Sequence, residues 1–438
     1  MKKYHFRTYG CQMNELDTEI MSGLLKRRGL VESTAEEADL LIFNTCSIRD
    51  LAERKVMGKL GQLGRSQKKQ IIGLTGCMAM AKKESLFRKF PYLDFVLGTN
   101  NISDLDAVLD EVVATKRQVF RLEDRFEENL NYLIADRKDP IKAHVSIIRG
   151  CDKFCTYCVV PYTRGQEVSR PLEDIVEECK KLVDKGYREV TLLGQNVNSY
   201  GKDRENGRFL FHDLLYQLDQ IPGLLRVRFM TSHPVDITMD LMYAIRDLKS
   251  SCNLVHFPFQ AGSNRILKKM HRIYTKEQYL EKVANLRAIV PNEALGTEVI
   301  VGFPTETDEE FQETVELFNI GYDVAFLYTY SPRKGTPAMR WKDDIPQAIK
   351  EQRLQTLLQI HAATCQEKRA QLIGQTMQFL VERRCKKDPT KLYVRTRCWK
   401  KVLITGPDTW IGEEIMVEVQ GYHHQTLLGK RKTSLTVD

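Results

Sequence analysis

No run of apolar residues in this chain approaches the roughly 18 that a membrane span needs. A signal-peptide core is missing too, because Lys2 and Lys3 are followed by His5, Arg7 and Gly10 and not by an apolar stretch. Internal repeats and low-complexity tracts are absent, which excludes a solenoid. These absences lead to the expectation of a cytoplasmic protein with no membrane contact. With 438 residues, 42% hydrophobic and 28% charged, the chain is too long for one ordinary core and predicts two or three domains.

Cysteine is what the chain has in excess. Eleven in a cytosolic protein argue for metal ligation over disulfides, because that compartment keeps thiols reduced. Six fall into two triplets; Cys179, Cys252, Cys365, Cys385 and Cys398 are expected to be packing or surface residues. The first triplet, Cys151, Cys155 and Cys158, stands as CxxxCxxC directly after the strand-like run His144–Ile148. Three such thiolates can hold three irons of a [4Fe–4S] cube and leave the fourth iron open to a substrate. The open position suits chelation of the amino and carboxylate groups of S-adenosylmethionine, and so predicts chemistry beyond electron storage. The alternative is structural zinc, which wants a closed tetrahedral shell; no second cysteine pair follows, the next cysteine being Cys179 within an amphipathic helical pattern. Tyr157 reads either as a core aromatic or as a ring flanking a bound adenine.

The N-terminal part alternates strands with helices, as a small parallel α/β domain does: strands at Lys3–Thr8, Asp39–Asn44, Gln70–Thr75 and Asp94–Leu97, helices at Leu16–Arg28, Leu51–Arg65, near Lys82–Phe90 and at Ile102–Ala114. Three of its strands run into a cysteine, at Cys11, Cys46 and Cys77. Ligands in open α/β sheets collect outside the carboxyl ends of the strands, so these sulfurs are expected to share one edge as a second three-thiolate site. The bland alternative is three unrelated buried cysteines.

A charged connector is expected at 116–142, between this domain (1–115) and the next (143–373). Six strand candidates, His144–Ile148, Glu189–Leu193, Leu225–Met230, Leu254–Phe257, Gly296–Val301 and Asp323–Tyr328, alternate with helices and predict an open, partial (β/α)6 barrel. The cysteine loop leaves the first of them at its carboxyl end, where such barrels place their active sites. Loops on that rim supply candidate cofactor-binding residues. Gly194 and Gly302 would allow close approach to the backbone, while Gln195, Asn196 and Gln260 can hydrogen-bond a ribose or carboxylate. Plain turns are the competing reading.

A long helix is expected over Ile345–Ile373, then short strands at Gln378–Glu382, Leu392–Thr396, Lys401–Thr405 and Glu414–Val419, which describe a small C-terminal β-barrel at 374–438. Net charge is +8, and from Arg383 to Lys401 nine Lys or Arg face a single acid, Asp388, with Tyr393 and Trp399 interleaved. Cations that neutralise phosphates beside rings that stack on bases predict an RNA partner, with Arg383, Arg384, Lys386, Lys387, Arg395, Arg397, Trp399 and Lys400 as contacts. A merely solvated charged face is the alternative.

The segments Thr8-Tyr-Gly-Cys-Gln-Met-Asn14, Cys155-Thr-Tyr-Cys-Val-Val-Pro-Tyr-Thr-Arg-Gly165 and Ser331-Pro-Arg-Lys-Gly-Thr-Pro337 resemble the radical S-adenosylmethionine methylthiotransferases, with their N-terminal cluster domain, partial barrel and C-terminal TRAM domain. The likeness spans nearly the whole chain. The form Cys11-Gln-Met-Asn14 is most similar to the branch acting on isopentenylated adenosine in tRNA, as opposed to the threonylcarbamoyladenosine or ribosomal-protein branches. The resemblance implies that Cys151, Cys155 and Cys158 hold the cluster that cleaves the cofactor, and that Cys11, Cys46 and Cys77 hold an auxiliary one. It further implies a tRNA anticodon stem-loop as substrate, an electron donor and a sulfur source as partners, and a monomer. Lys334 stands where the family commonly has proline, and Thr305 where glycine is usual. A non-catalytic, RNA-binding redox sensor with two iron–sulfur clusters is the reading from a different class.

Overall fold

The computed structural model describes residues 1–47, 50–63, 70–123, 132–204, 209–424 and 426–432. The end of the helix expected to reach Arg65, the middle of the connector and the last residues of the chain lie outside these.

Six strands form one parallel sheet: β1 (Lys3–Tyr9), β2 (Val31–Glu32), β3 (Leu40–Thr45), β4 (Ile71–Gly76), β5 (Phe95–Leu97) and β6 (Val119–Arg121), in the order β2-β1-β3-β4-β5-β6. Strand β3 shows why it sits at the centre. All six of its residues are buried, and successive side chains serve opposite faces. Leu40 and Ile42 pack with Leu16, Ile20 and Leu109 on one side, while Leu41 and Phe43 pack with Val56, Leu60 and Met78 on the other. Both faces are thus covered by helices, as parallel sheets require. The sheet extends beyond the expected boundary at residue 115: β6 lies inside the stretch read as connector, and β2 was not expected. Two or three residues are too few to show alternation.

The middle of the chain supplies β7 (Lys142–Ser146), a short antiparallel pair β8 (Ile148–Arg149) and β9 (Val168–Ser169), then β10 (Glu189–Leu193), β11 (Arg226–Phe229), β12 (Leu254–His256), β13 (Ala294–Val301) and β14 (Val324–Thr329). Strands β11-β10-β7 and β12-β13-β14 are two parallel three-stranded sheets, linked where Val227 bridges Ser251. Together they make the partial, open barrel around one continuous apolar core. The expected first strand divides in two, because the chain leaves the main sheet after Ser146 to pair with β9.

Helix Gln347–Gln371 leads into β15 (Thr376–Arg384), β16 (Lys391–Arg395), β17 (Lys401–Thr405), β18 (Glu414–His423) and β19 (Thr426–Arg431), a closed barrel in the order β15-β16-β17-β19-β18. Its interior is filled by Phe379, Val381, Leu392, Val394, Val402 and Val417. Strand β19 was not expected; its Gly429-Lys430-Arg431 end hides the pattern. No helix among the described residues is long and apolar enough to cross a membrane.

Candidate functional site

Strands β1, β3 and β4 are neighbours and end in register, Tyr9 beside Thr45 beside Gly76. Cys11, Cys46 and Cys77 therefore emerge at one carboxyl edge, on strands ~4.8 Å apart. Cys46 N donates to Tyr9 O (2.9 Å), Cys11 opens helix Gln12–Arg27, and Cys77 opens helix Cys77–Lys82. A buried amide pair fixes this edge. Asn14 Nδ2 donates to Asn44 Oδ1 (2.9 Å) and Asn44 Nδ2 to Asn14 O (2.8 Å). Gly76 has φ +93°, and a Cβ there would stand 2.4 Å from Thr45 O, so only glycine lets the chain turn into Cys77. Burial pushes the Cys11 thiol up; Arg164 opposes this and nearby Cys77 adds to it.

The second triplet lies in the loop between β8 and helix Val160–Arg164. Its shape is set by backbone bonds: Cys151 N to Gly165 O (3.2 Å), Cys158 N to Cys155 O (2.9 Å), and Thr156 N to Met270 O (3.1 Å). Phe154 takes a left-handed φ of +47°, the strained turn that separates Cys151 from Cys155. Burial pushes the Cys151 thiol up to about 12, and it raises Cys158 as well, with Cys155 adding to both. Crowded, buried thiols of this kind are poor at ionising alone and suit a cationic centre that would take them as thiolates. Among the described residues, no three Cys, His, Asp or Glu side chains converge on a single point as a lone metal ion requires. A cube differs, since each thiolate meets a different iron. The donor set, three cysteines brought together in one short loop, fits an iron cube.

The two cysteine regions meet through charges that sequence reasoning missed. Asp17, on the helix that Cys11 opens, accepts from Arg164 (3.0 Å) and Arg149 (3.4 Å), all three buried. Thr99 reinforces the joint, accepting from Arg149 through its carbonyl (3.3 Å) and donating its hydroxyl to Thr163 O (2.9 Å). Arg164 feels the charge of both Cys11 and Cys77.

The expected cofactor residues line the barrel rim in varied ways. Gln195 Oε1 accepts from Gly150 N (2.7 Å), which steadies the loop just ahead of Cys151. Asn196 Nδ2 donates to Asp236 (2.6 Å), while its Oδ1, together with Gln260 Oε1 and His233 Nε2, is buried without a partner. Two unpaired buried acceptors and an unpaired imidazole N–H, the His233 ring using Nδ1 to accept from Val235 N, invite a polar ligand. Tyr157 meets Phe303 edge-on at 6.4 Å, against the core. A Cβ on Gly194 would stand 2.4 Å from Ile148 Cγ2, and one on Gly302 would stand 2.4 Å from Lys350 Cγ, so both glycines are closely packed, and Gly302, at φ +70°, also takes a left-handed backbone. Asp236 also pairs with Lys153, from the cysteine loop, and with Lys202 (2.9 and 2.6 Å). Thr305 does adopt the conformation glycine favours, φ +72°, held by Lys269 Nζ on its hydroxyl (2.7 Å) and Asp344 on its N–H (2.8 Å).

The basic stretch divides in a way its composition concealed. Arg384 is paired with Asp408 (2.6 Å), Arg395 with Glu382 (2.7 Å), Arg397 with Glu414 (3.6 Å) and Lys400 with Asp323. Trp399 is sandwiched between Arg228 and Arg395, at 4.9 and 4.0 Å from its ring centre. Arg226 and Arg228 of β11 donate to the Arg395, Thr396 and Arg397 carbonyls, so much of this stretch fastens the small barrel to the large one. Lys386 and Lys387 stay exposed, and Arg383 lies over Tyr393. Beside the joint is a cavity of about 370 Å³ lined by Lys368, Arg369, Arg395, Lys400 and Lys401, with Asp323 the one acid on its wall. Arg369 Nε is buried there without a partner.

A parallel α/β domain with cysteines at three strand ends, set before a partial barrel that carries CxxxCxxC, defines a radical S-adenosylmethionine enzyme with a second cysteine centre. Residues 145–318 match the Radical SAM superfamily, and residues 3–98 match the family described as Uncharacterized protein family UPF0004. The fold is similar to that of the radical S-adenosylmethionine methyltransferase TsrM from Kitasatospora setae (TM-score 0.57, 13% identity, 77% of each chain). The chain is 67% identical to the tRNA-2-methylthio-N(6)-dimethylallyladenosine synthase of Protochlamydia amoebophila over 98% of its own length and 96% of that protein. It is 44% identical to the synthase of the same name from Thermoanaerobacter pseudethanolicus, over 98% and 92%. The chain belongs to the tRNA-2-methylthio-N(6)-dimethylallyladenosine synthase family.

Proposed function

We propose that this chain inserts a methylthio group at carbon 2 of N6-isopentenyladenosine beside the anticodon of tRNA, with two [4Fe–4S] clusters and S-adenosylmethionine. The observation that carries this reading is the Asp17–Arg164 joint, which puts the strand-end cysteines and the CxxxCxxC loop at one interior boundary. When bound, the cofactors supply one-electron cleavage of the sulfonium, a hydrogen-abstracting radical, sulfur and a methyl group, because carbon 2 of adenine offers no leaving group better than hydride.

The protein's own part is holding and screening. Cys151, Cys155 and Cys158 hold the cofactor-cleaving centre, and Cys11, Cys46 and Cys77 the auxiliary one. Gln195 keeps the Gly150 backbone in place, while Asn196 and Gln260 offer free acceptors to ribose hydroxyls. The domains divide the labour: the N-terminal sheet carries the auxiliary centre, the partial barrel the radical centre, and residues 374–438 form a TRAM-like RNA-binding unit. The cationic cavity and the exposed Lys386 and Lys387 serve backbone phosphates of the anticodon stem-loop.

The test is conversion of isopentenylated tRNA by the anaerobically reconstituted protein, read as a nucleoside mass spectrum. No product with both clusters intact excludes this substrate. Product on threonylcarbamoyladenosine tRNA or on a ribosomal-protein aspartate would move the chain to a sister branch. Absence of 5′-deoxyadenosine after dithionite reduction would favour the non-catalytic redox sensor.

A further inference from the structure

Four large apolar side chains stand exposed around the CxxxCxxC loop: Phe154 (46%), Tyr162 (47%), Ile273 (59%) and Met339 (48%). Single exposed apolar residues are ordinary, but the fold gathers these. Phe154 and Tyr162 meet edge-on at 6.4 Å. His271 Nδ1 donates to Lys153 O (3.3 Å) and Thr156 N to Met270 O (3.1 Å), which brings the Ile273 segment against the loop. Ala338 N donates to Thr156 O (2.9 Å) and does the same for Met339. Apolar side chains drawn from distant segments around one loop mark an interaction surface. Its border is positive: Lys268, Lys334, Arg340 and Lys342 are exposed, against Asp152 and Asp344, while Asp343 is paired with Lys350 (2.5 Å).

This surface faces away from the joint with the N-terminal domain. Tyr162 stands two positions before Arg164 in helix Val160–Arg164, about 200° around its axis, so it points to solvent while Arg164 reaches Asp17. A base worked on by both cysteine triplets lies at the joint, which leaves the outer side of the loop to another partner. Phe154 is the residue bonded to Cys155, so an electron arriving here crosses little protein.

We propose that this surface docks an acidic one-electron carrier protein, of the flavin or iron–sulfur class, that reduces the centre held by Cys151, Cys155 and Cys158. This rests on the reading above that these cysteines carry a cluster. The carrier loses one electron and the cluster gains it; no bond is made or broken. The apolar side chains exclude water from the contact, and the cations on its border steer and orient the acidic partner. RNA is the less suited occupant, because Ile273 and Met339 offer bases no ring to stack on.

The test is calorimetric binding of oxidised flavodoxin, as an acidic flavin carrier, to the full-length reconstituted protein. Beside it, 5′-deoxyadenosine formation is driven either by reduced flavodoxin or by dithionite, which needs no docking. Ile273→Ser with Met339→Ser should weaken binding about tenfold. It should slow the flavodoxin-driven rate at limiting carrier and leave the dithionite-driven rate unchanged. Lys334→Gln with Arg340→Gln should weaken binding chiefly at low salt, where charges are least screened. No saturable binding by the wild-type chain overturns the proposal, as does binding that neither pair of substitutions weakens. Equal loss of rate with both reductants at equal iron content also overturns it, since these residues would then serve the reaction itself. Unchanged flavodoxin binding with weaker tRNA binding would make the surface an RNA contact. If the apolar variant retains less iron, Lys334→Gln with Arg340→Gln decides. A wild-type chain without iron at these cysteines would instead refute the cluster reading.

Discussion

Arg164 donates to Asp17 across 3.0 Å, joining a residue six positions beyond Cys158 to one six positions beyond Cys11. Both are 2% exposed at the side chain, and Arg149 shares the same carboxylate. The ion pair is thus one buried mechanical link between the domains that carry the two cysteine triplets, beside the Thr99 contacts. Asp17→Ala would leave two buried guanidinium groups without an anion, at about 3–5 kcal/mol. Chemical denaturation should show that loss, and Asp17→Ala with Arg164→Met should be milder than the sum of the singles. A cost under about 1 kcal/mol would deny the pair its role.

The two triplets are expected to separate the reaction into stages. Cys151→Ala should abolish formation of 5′-deoxyadenosine, whereas Cys46→Ala should preserve it and stop sulfur insertion. Chromatography of both products from the same incubation distinguishes them, and methylthiolated tRNA from Cys46→Ala would remove the auxiliary role.

Arg369 faces the cationic cavity with an unpartnered Nε, whereas Arg395 is tied to Glu382. Arg369→Ala should therefore weaken tRNA binding and lower the salt slope by about 1, with little change in melting temperature. Arg395→Ala should lower the melting temperature, because it leaves buried Glu382 with Lys142 alone as its cation and uncovers Trp399. Equal effects of both on binding and on stability would show that the division between joint and ligand surface is wrong.

Asp136 receives hydrogen bonds from Ser22 (2.9 Å), Lys26 (2.7 Å) and Lys138 (2.8 Å). Partial burial pushes its carboxyl up, but the lysine and serine donors outweigh it and hold the group down at about 2. A depressed carboxylate contributes stability above its unfolded pKa of about 3.9, and that contribution fades as pH falls toward 2. Screening by nearby water keeps the effect near about 1 kcal/mol. Asp136→Asn should lower stability at pH 7 and leave it unchanged near pH 2; an equal loss at both would point to packing.

The sequence by itself determined the two cysteine sets and the order of the domains. CxxxCxxC is a local spacing, and β3 and β4 announce themselves by apolar runs and β1 by alternation, each leading into a cysteine, so a parallel sheet leaves their sulfurs little choice of edge. What only the tertiary structure decided is which charge meets which. Asp17 and Arg164 are 147 residues apart. The basic stretch likewise read as a free RNA surface until Asp323, Glu382 and Glu414 took Lys400, Arg395 and Arg397 as partners. Apolar periodicity is written along one element and survives in the linear chain, whereas an ion pair depends on where two elements come to rest and leaves no such trace.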